Sequence, residues 1–204
     1  MLAAHRITFL FALALVLPAC QGLQPPRPET LARLRPMPLA SAIRGKFELE
    51  LQGPGLSGTF DAVCALEGRC CRLQLFPDIG AKVFDLRLEE ASIAADGPWG
   101  HYEAKAPLED AAPHLALVLG AMLAELLAPV RAERVLGERP GSDGRTQVSL
   151  RPALGSGVVL ATLGPDGAVE AYDITLGHVG FTIGAEGSLR GRGLAGQLRF
   201  QKGD

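Results

Sequence analysis

The chain has 204 residues, with 20 lysines and arginines against 22 aspartates and glutamates, for a net charge of −2. That length makes one domain, and 48% hydrophobic residues exclude disorder throughout. The balanced charge and 5% aromatics exclude a strongly basic nucleic-acid binder or a base-stacking platform, and four cysteines are too few for a disulfide-held scaffold.

Arg6 precedes an apolar run over residues 7–17. The run is too short to span a bilayer and has the length of a signal-peptide core. Leu17-Pro18-Ala19-Cys20 then resembles a bacterial lipobox. The resemblance implies that residues 1–19 are removed and that Cys20 is lipidated and becomes the mature N-terminus. An ordinary secretory signal followed by a chance cysteine is the other reading of these residues. Gln21 follows the cysteine, and by resemblance to lipoprotein sorting in Gram-negative bacteria this implies an outer-membrane, periplasm-facing protein. One acyl chain binds a membrane marginally, whereas two or more anchor it, at about 0.8 kcal/mol per buried methylene.

Residues 20–41 read as lipid anchor and tether, because Pro25, Pro26 and Pro28 favour extended polyproline backbone and oppose helix. A short helix around 30–35 is compatible with the pattern. From residue 42 the period becomes two, opening the domain over 42–204. Phe47, Leu49 and Leu51 alternate with Lys46, Glu48 and Glu50 as a half-buried strand. Phe60, Ala62, Cys64 and Leu66 share a face of a second strand, and Cys71, Leu73 and Leu75 of a third. Glu67-Gly68 reads as the hairpin loop between them. Phe84, Leu86 and Leu88 mark a fourth strand, 92–95 a fifth and 101–105 a sixth.

The period then switches to 3.6, with Leu115, Val118, Leu119, Met122, Leu123 and Leu126 on one stripe. Asp110 is the expected cap, Pro113 fits the first turn and Pro129 stops the helix. After a polar loop over 137–145, strands resume at 147–151, 158–163, 168–176, 179–183 and 194–200. Gly164-Pro165-Asp166-Gly167 is a strong hairpin signal. Short connections require antiparallel pairing. The expected fold is mainly β: a strongly curved antiparallel sheet of nine or ten strands, an unclosed β-barrel, with a helix covering its apolar face.

The stretch RLQLFPDIGAKVFDLRLEEASIAADG (72–97) is similar to the strand–loop–strand of the LolA/LolB-like lipoprotein carriers. AIRGKFEL (42–49) resembles the family's opening strand, 102–129 falls where it places a lid helix, and 159–172 fits a later hairpin. The resemblance implies an unclosed barrel under a helical lid, an apolar cavity for acyl chains, and a role in placing lipoproteins in the outer membrane. The implied partners are the acyl chains of lipoproteins or lipids, a periplasmic lipoprotein carrier and the membrane reached through Cys20, with no nucleic acid. A membrane-inserting loop with an exposed apolar residue maps onto Pro77, Ile79 and Gly80. This chain departs from the pattern in Asp78, in the cysteines of its early strands and in the placement of its single tryptophan, Trp99.

Acyl chains need a dry wall, because unpaired polar groups would impose a desolvation cost. The candidate wall residues are Phe47, Leu49, Leu51, Phe60, Leu73, Leu75, Phe84, Leu86 and Leu88 on the strands. Leu115, Leu119, Met122, Leu123 and Leu126 would join them from the helix. The same residues fit a solid core, in which case the protein would dock a partner through its edge strands or the 76–83 loop. With a loop at 67–68, Cys64 falls opposite Cys71 and a cross-strand disulfide is expected; a one-residue change offers Cys64–Cys70 instead. Arg190 and Arg192 form a small basic spot. The scattered histidines compose neither a catalytic triad nor a metal site, so neither enzyme activity nor a cofactor or metal is expected.

Overall fold

A computed structural model describes residues 22–200 except 68, 69, 109, 112, 142 and 143. Within them the strands form one sheet of thirteen. The first half holds β1 (Gly45–Gly53), β2 (Leu56–Glu67), β3 (Cys70–Phe76), β4 (Phe84–Glu89), β5 (Ser92–Gly97) and β6 (Gly100–Lys105). The second holds β7 (Val135–Pro140), β8 (Thr146–Leu150), β9 (Val158–Leu163), β10 (Val169–Leu176), β11 (Val179–Gly184), β12 (Ser188–Gly191) and β13 (Leu194–Arg199). The described residues also hold three helices, α1 (Pro28–Arg33), α2 (Leu39–Ala42) and α3 (Leu115–Leu127), and a 3₁₀ turn at Ala132–Arg134.

The strand order is β6-β5-β4-β3-β2-β1-β13-β12-β11-β10-β9-β8-β7. Each half is a meander, the first running outward from the centre and the second inward from the far edge, and β1 zips to β13, Leu49 facing Leu198. The edges β6 and β7 do not pair with each other, so the sheet is not closed. Residues 106–134 run from one edge to the other and carry α3 across the apolar face. There α3 touches β4 and β5 of one half, β11 of the other, and α2. Every residue from Leu115 to Leu126 is buried, so the helix is enclosed on all sides. Gly120 permits this approach: a Cβ added there would lie 2.6 Å from Ile93 Cδ1 on β5.

Several expectations are corrected. The strands number thirteen among the described residues, not nine or ten: all eleven extended segments read above form strands, β7 occupies the start of the expected polar loop, and β12 is separate. The stretch VLGERP has no period-two pattern. It extends because it is an edge, where Pro140 costs no ladder bond and where buried Glu138 pairs with Arg27. The cap of α3 is His114, whose Nδ1 accepts from the Ala116 N–H at 3.1 Å, and not Asp110.

The hairpin expected at Glu67-Gly68 is shifted. Glu67 ends β2 and pairs with Cys70, while Gly68 lies outside the described residues. Cys64 therefore faces Leu73 and Cys71 faces Leu66. The two cysteines are diagonal neighbours on the apolar face, free thiols with sulfurs 3.3 Å apart.

The proline-rich segment expected as a tether is docked from residue 24 onward. Gln24 bridges to Glu138 on β7, and Arg35 to Ala168 beside β10. Met37, Leu39 and Ile43 enter the core. Three apolar side chains outweigh the proline preference, and Pro28 starts α1, where a missing N–H is harmless. Gly167 makes room for the crossing. Its φ is +82°, and a Cβ would lie 2.1 Å from the Arg33 carbonyl oxygen.

Candidate functional site

The fourteen candidate wall residues converge on one interior. Phe47, Phe60, Phe84, Leu88, Leu115 and Leu126 are at most 8% exposed, and Leu49, Leu51, Leu73, Leu75, Leu86, Leu119, Met122 and Leu123 expose nothing. A side chain with no accessible surface touches no space wide enough for water. In this conformation α3 and the sheet pack directly against each other, as Gly120 against Ile93 shows.

Because every strand pairing is antiparallel, the turns alternate between the two ends of the sheet. Turns 54–55, 98–99, 177–178 and 192–193 and the 77–83 loop share one end. There, beside the first turn of α3, an apolar cavity of about 370 Å³ opens between the two halves. Gly55 and Trp99 come from one half, His114, Leu115 and Val118 from α3, and Val179, Arg192 and Leu194 from the other half. Its volume falls within the range of small-molecule pockets, roughly 300–1,000 Å³.

Trp99 organises the rim. Its ring lies against Gly55 and Gly97, so that a Cβ at either would come within 3.2 and 2.8 Å. It packs on Phe84 with centroids 5.7 Å apart and meets the His114 ring edge-on at 4.6 Å. Tyr102 stacks on the His114 ring at 4.2 Å. Burial lowers the His114 imidazole below its usual pKa, which suits its role as a neutral acceptor at the helix cap. The Trp99 indole N–H is buried without an acceptor among the described residues. Arg192, at the rim, has no carboxylate partner among the described residues.

The other end of α3 is held by charge. Glu125 is buried, and its Oε2 accepts from Arg134 Nη2 at 2.6 Å while its Oε1 accepts from the Ala153 N–H at 2.5 Å. Arg134 also donates to the Arg151 carbonyl, from Nε at 3.0 Å and Nη2 at 2.8 Å. The helix thus has a packed aromatic end beside the cavity and a charged, pinned end away from it.

The 77–83 loop, with Pro77, Ile79 and Gly80, projects at the cavity end of the sheet. Ile79 is 92% exposed. The base of the loop is fixed where buried Asp85 accepts from Arg72 Nε at 2.8 Å and pairs with Lys82. Arg72 above all, with help from Lys82 and Gln74, holds the Asp85 carboxyl far below the usual carboxylate range.

Leu115 is the one wall candidate that lines this cavity; the rest are buried in the core. Trp99, His114 and Arg192 are missing from the sequence-derived set. The one available signal was a lone tryptophan in a Gly-Pro-Trp-Gly turn. Cys20 lies outside the described residues. No helix among the described residues is long and apolar enough to cross a membrane.

The fold and cavity define a class of architecture: an unclosed antiparallel sheet wrapped on a buried apolar helix, with an apolar cavity at one mouth. Compared with models of known families and with curated proteins, the chain matches none.

Proposed function

We propose that this protein is a lipid-anchored, periplasm-facing protein of the outer membrane that binds acyl chains between the sheet and α3. It would serve the localisation of lipoproteins and take their chains from a periplasmic carrier, with no enzymatic step, metal or cofactor. The carrying observation is the 370 Å³ apolar cavity at the junction of α3 with both halves of the sheet. In this reading α3 is the lid, and a chain enters at the cavity and displaces the helix from the wall residues. Each methylene taken from water contributes roughly 0.8 kcal/mol. An opening that swings the aromatic end and keeps Glu125 pinned costs less than one that frees both ends, because breaking a buried ion pair costs about 3–5 kcal/mol. The exposed Ile79 on its braced loop suits contact with a membrane during transfer.

The packed interior and the exposed Ile79 also favour a second reading, in which the core stays filled and the 77–83 loop docks a protein partner. Titrating delipidated full-length protein with a fluorescent fatty acid separates the two. The acyl-chain reading expects saturable binding, Trp99 quenching and weaker binding in Leu115→Trp, which fills the cavity. Absence of saturable binding, with Ile79→Asp losing one defined partner, supports the docking reading instead.

A further inference from the structure

We propose that the β7 edge of the sheet rests on the lipid surface to which Cys20 is tied, with Leu23 and Leu136 in the headgroup layer. This inference rests on the reading of Cys20 as a lipidated residue. The segment that follows the anchor is not a free spacer. Gln24 and Glu138 exchange two backbone hydrogen bonds of 2.8 Å, and Arg27 pairs with the buried Glu138 carboxylate. Only three residues advance the chain from Cys20 to Leu23, a reach of about 11 Å at full extension. A headgroup layer is itself about 5–7 Å deep. No orientation of the body therefore carries the β7 edge far from the bilayer.

The edge is built for that position. Leu23 and Leu136 are 52% and 55% exposed. Leu23 lies over the β7 backbone, its Cβ 3.1 Å from where a Cβ of Gly137 would stand, so both exposed leucines belong to the same edge. Large exposed apolar side chains on a sheet edge next to a lipid anchor gain by entering the interface. Of the neighbouring charges, Arg27 is matched with Glu138 and Arg131 with Glu133, while Arg139 on β7 donates to the neutral Gln147 side chain. The contact is thus apolar and leash-driven, and it needs no anionic lipid. The occupant is a phospholipid bilayer rather than a protein, because the leash length places a bilayer there and nothing comparable places a protein.

The test uses full-length protein purified from membranes and reconstituted into phosphatidylcholine vesicles that carry acyl chains brominated near the headgroup. Leu136→Trp and Leu66→Trp are each made in a Trp99→Phe background; Leu66 is exposed on β2, in the other half of the sheet. The Leu136→Trp emission should fall by half or more, at low and high salt alike, and that of Leu66→Trp should not change. Hydrogen exchange of the unsubstituted protein gives a second readout: amides 136–139 should slow on vesicles relative to detergent. An acylated protein showing neither quenching at 136 nor slowed exchange overturns the docking alone. An N-terminal mass without acyl groups on Cys20 overturns the lipid-anchor reading and the docking with it.

Discussion

Glu125 is the only charged residue in α3, and its carboxylate is matched on both oxygens. Glu125→Met would leave the Arg134 cation in a site where its side chain is 13% exposed and would orphan the Ala153 amide. Breaking a buried pair by removing one partner costs about 3–5 kcal/mol. Arg134 keeps its bonds to the Arg151 carbonyl, which places the loss near the lower limit, about 3 kcal/mol, and the unpaired amide adds about 1. Arg134→Met should cost a similar amount, because it leaves the Glu125 charge with one backbone donor. The double variant removes both charges and leaves only two unpaired backbone groups, so it should cost about 2 kcal/mol, less than either single change. Urea unfolding at unchanged slope, roughly 2 kcal/mol per molar, should show midpoint shifts of about 2 M for each single variant and about 1 M for the pair. Additive losses in the double variant, or single losses under about 1 kcal/mol, would refute a pinned helix end.

Asp85→Ala should destabilise the protein by about 3 kcal/mol at neutral pH, since Arg72 and Lys82 lose a shared buried acceptor. The native carboxyl sits below its unfolded value, so its contribution is complete above about pH 4 and is lost only as the solution becomes more acid. Wild-type and variant melting curves should therefore converge only in strong acid; a gap already closing at pH 6 would exclude this assignment. For His114 the native imidazole is lowered by burial, so the neutral form stabilises the fold. Stability should decline as pH falls below about 6.5, and His114→Ser, which caps without titrating, should flatten that slope in thermal melts. Gly120→Ala should destabilise despite its better helix propensity, because Ile93 cannot retreat; Ile93→Ala in addition should restore part of the loss. Reacted with a small disulfide oxidant, Cys64 and Cys71 should pass two electrons to it and form a disulfide. Mass mapping should find Cys64 linked to Cys71; a Cys64–Cys70 or Cys70–Cys71 bridge would contradict the 3.3 Å approach of Cys64 and Cys71.

Alternation along the strands made most of the sheet legible. Leu49, Leu51, Leu73, Leu75 and Leu86 are predicted on one face and found in one core. Hairpin signals located their turns, Gly164–Gly167 most clearly. β7 escaped because an edge strand needs no alternation, and its stabilising pair, Arg27 with Glu138, joins residues 111 positions apart. The cysteine register slipped by two residues along the ladder because a plausible loop at 67–68 competed with the pairing actually formed by Glu67 and Cys70. A slip of two preserves the face, so the apolar pattern could not reveal it.

Composition and periodicity alone determined a mainly β chain with one apolar helix, because both are local properties of neighbouring side chains. Whether the prolines near the N-terminus make a spacer or a docked strap, and which rim receives a ligand, are decided by surfaces distant in the chain. Met37 and Ile43 find their core only once the sheet exists, and Trp99, His114 and Arg192 meet only where three separate segments end together. Such meetings depend on the closure of long loops, and no window of neighbouring residues carries that information.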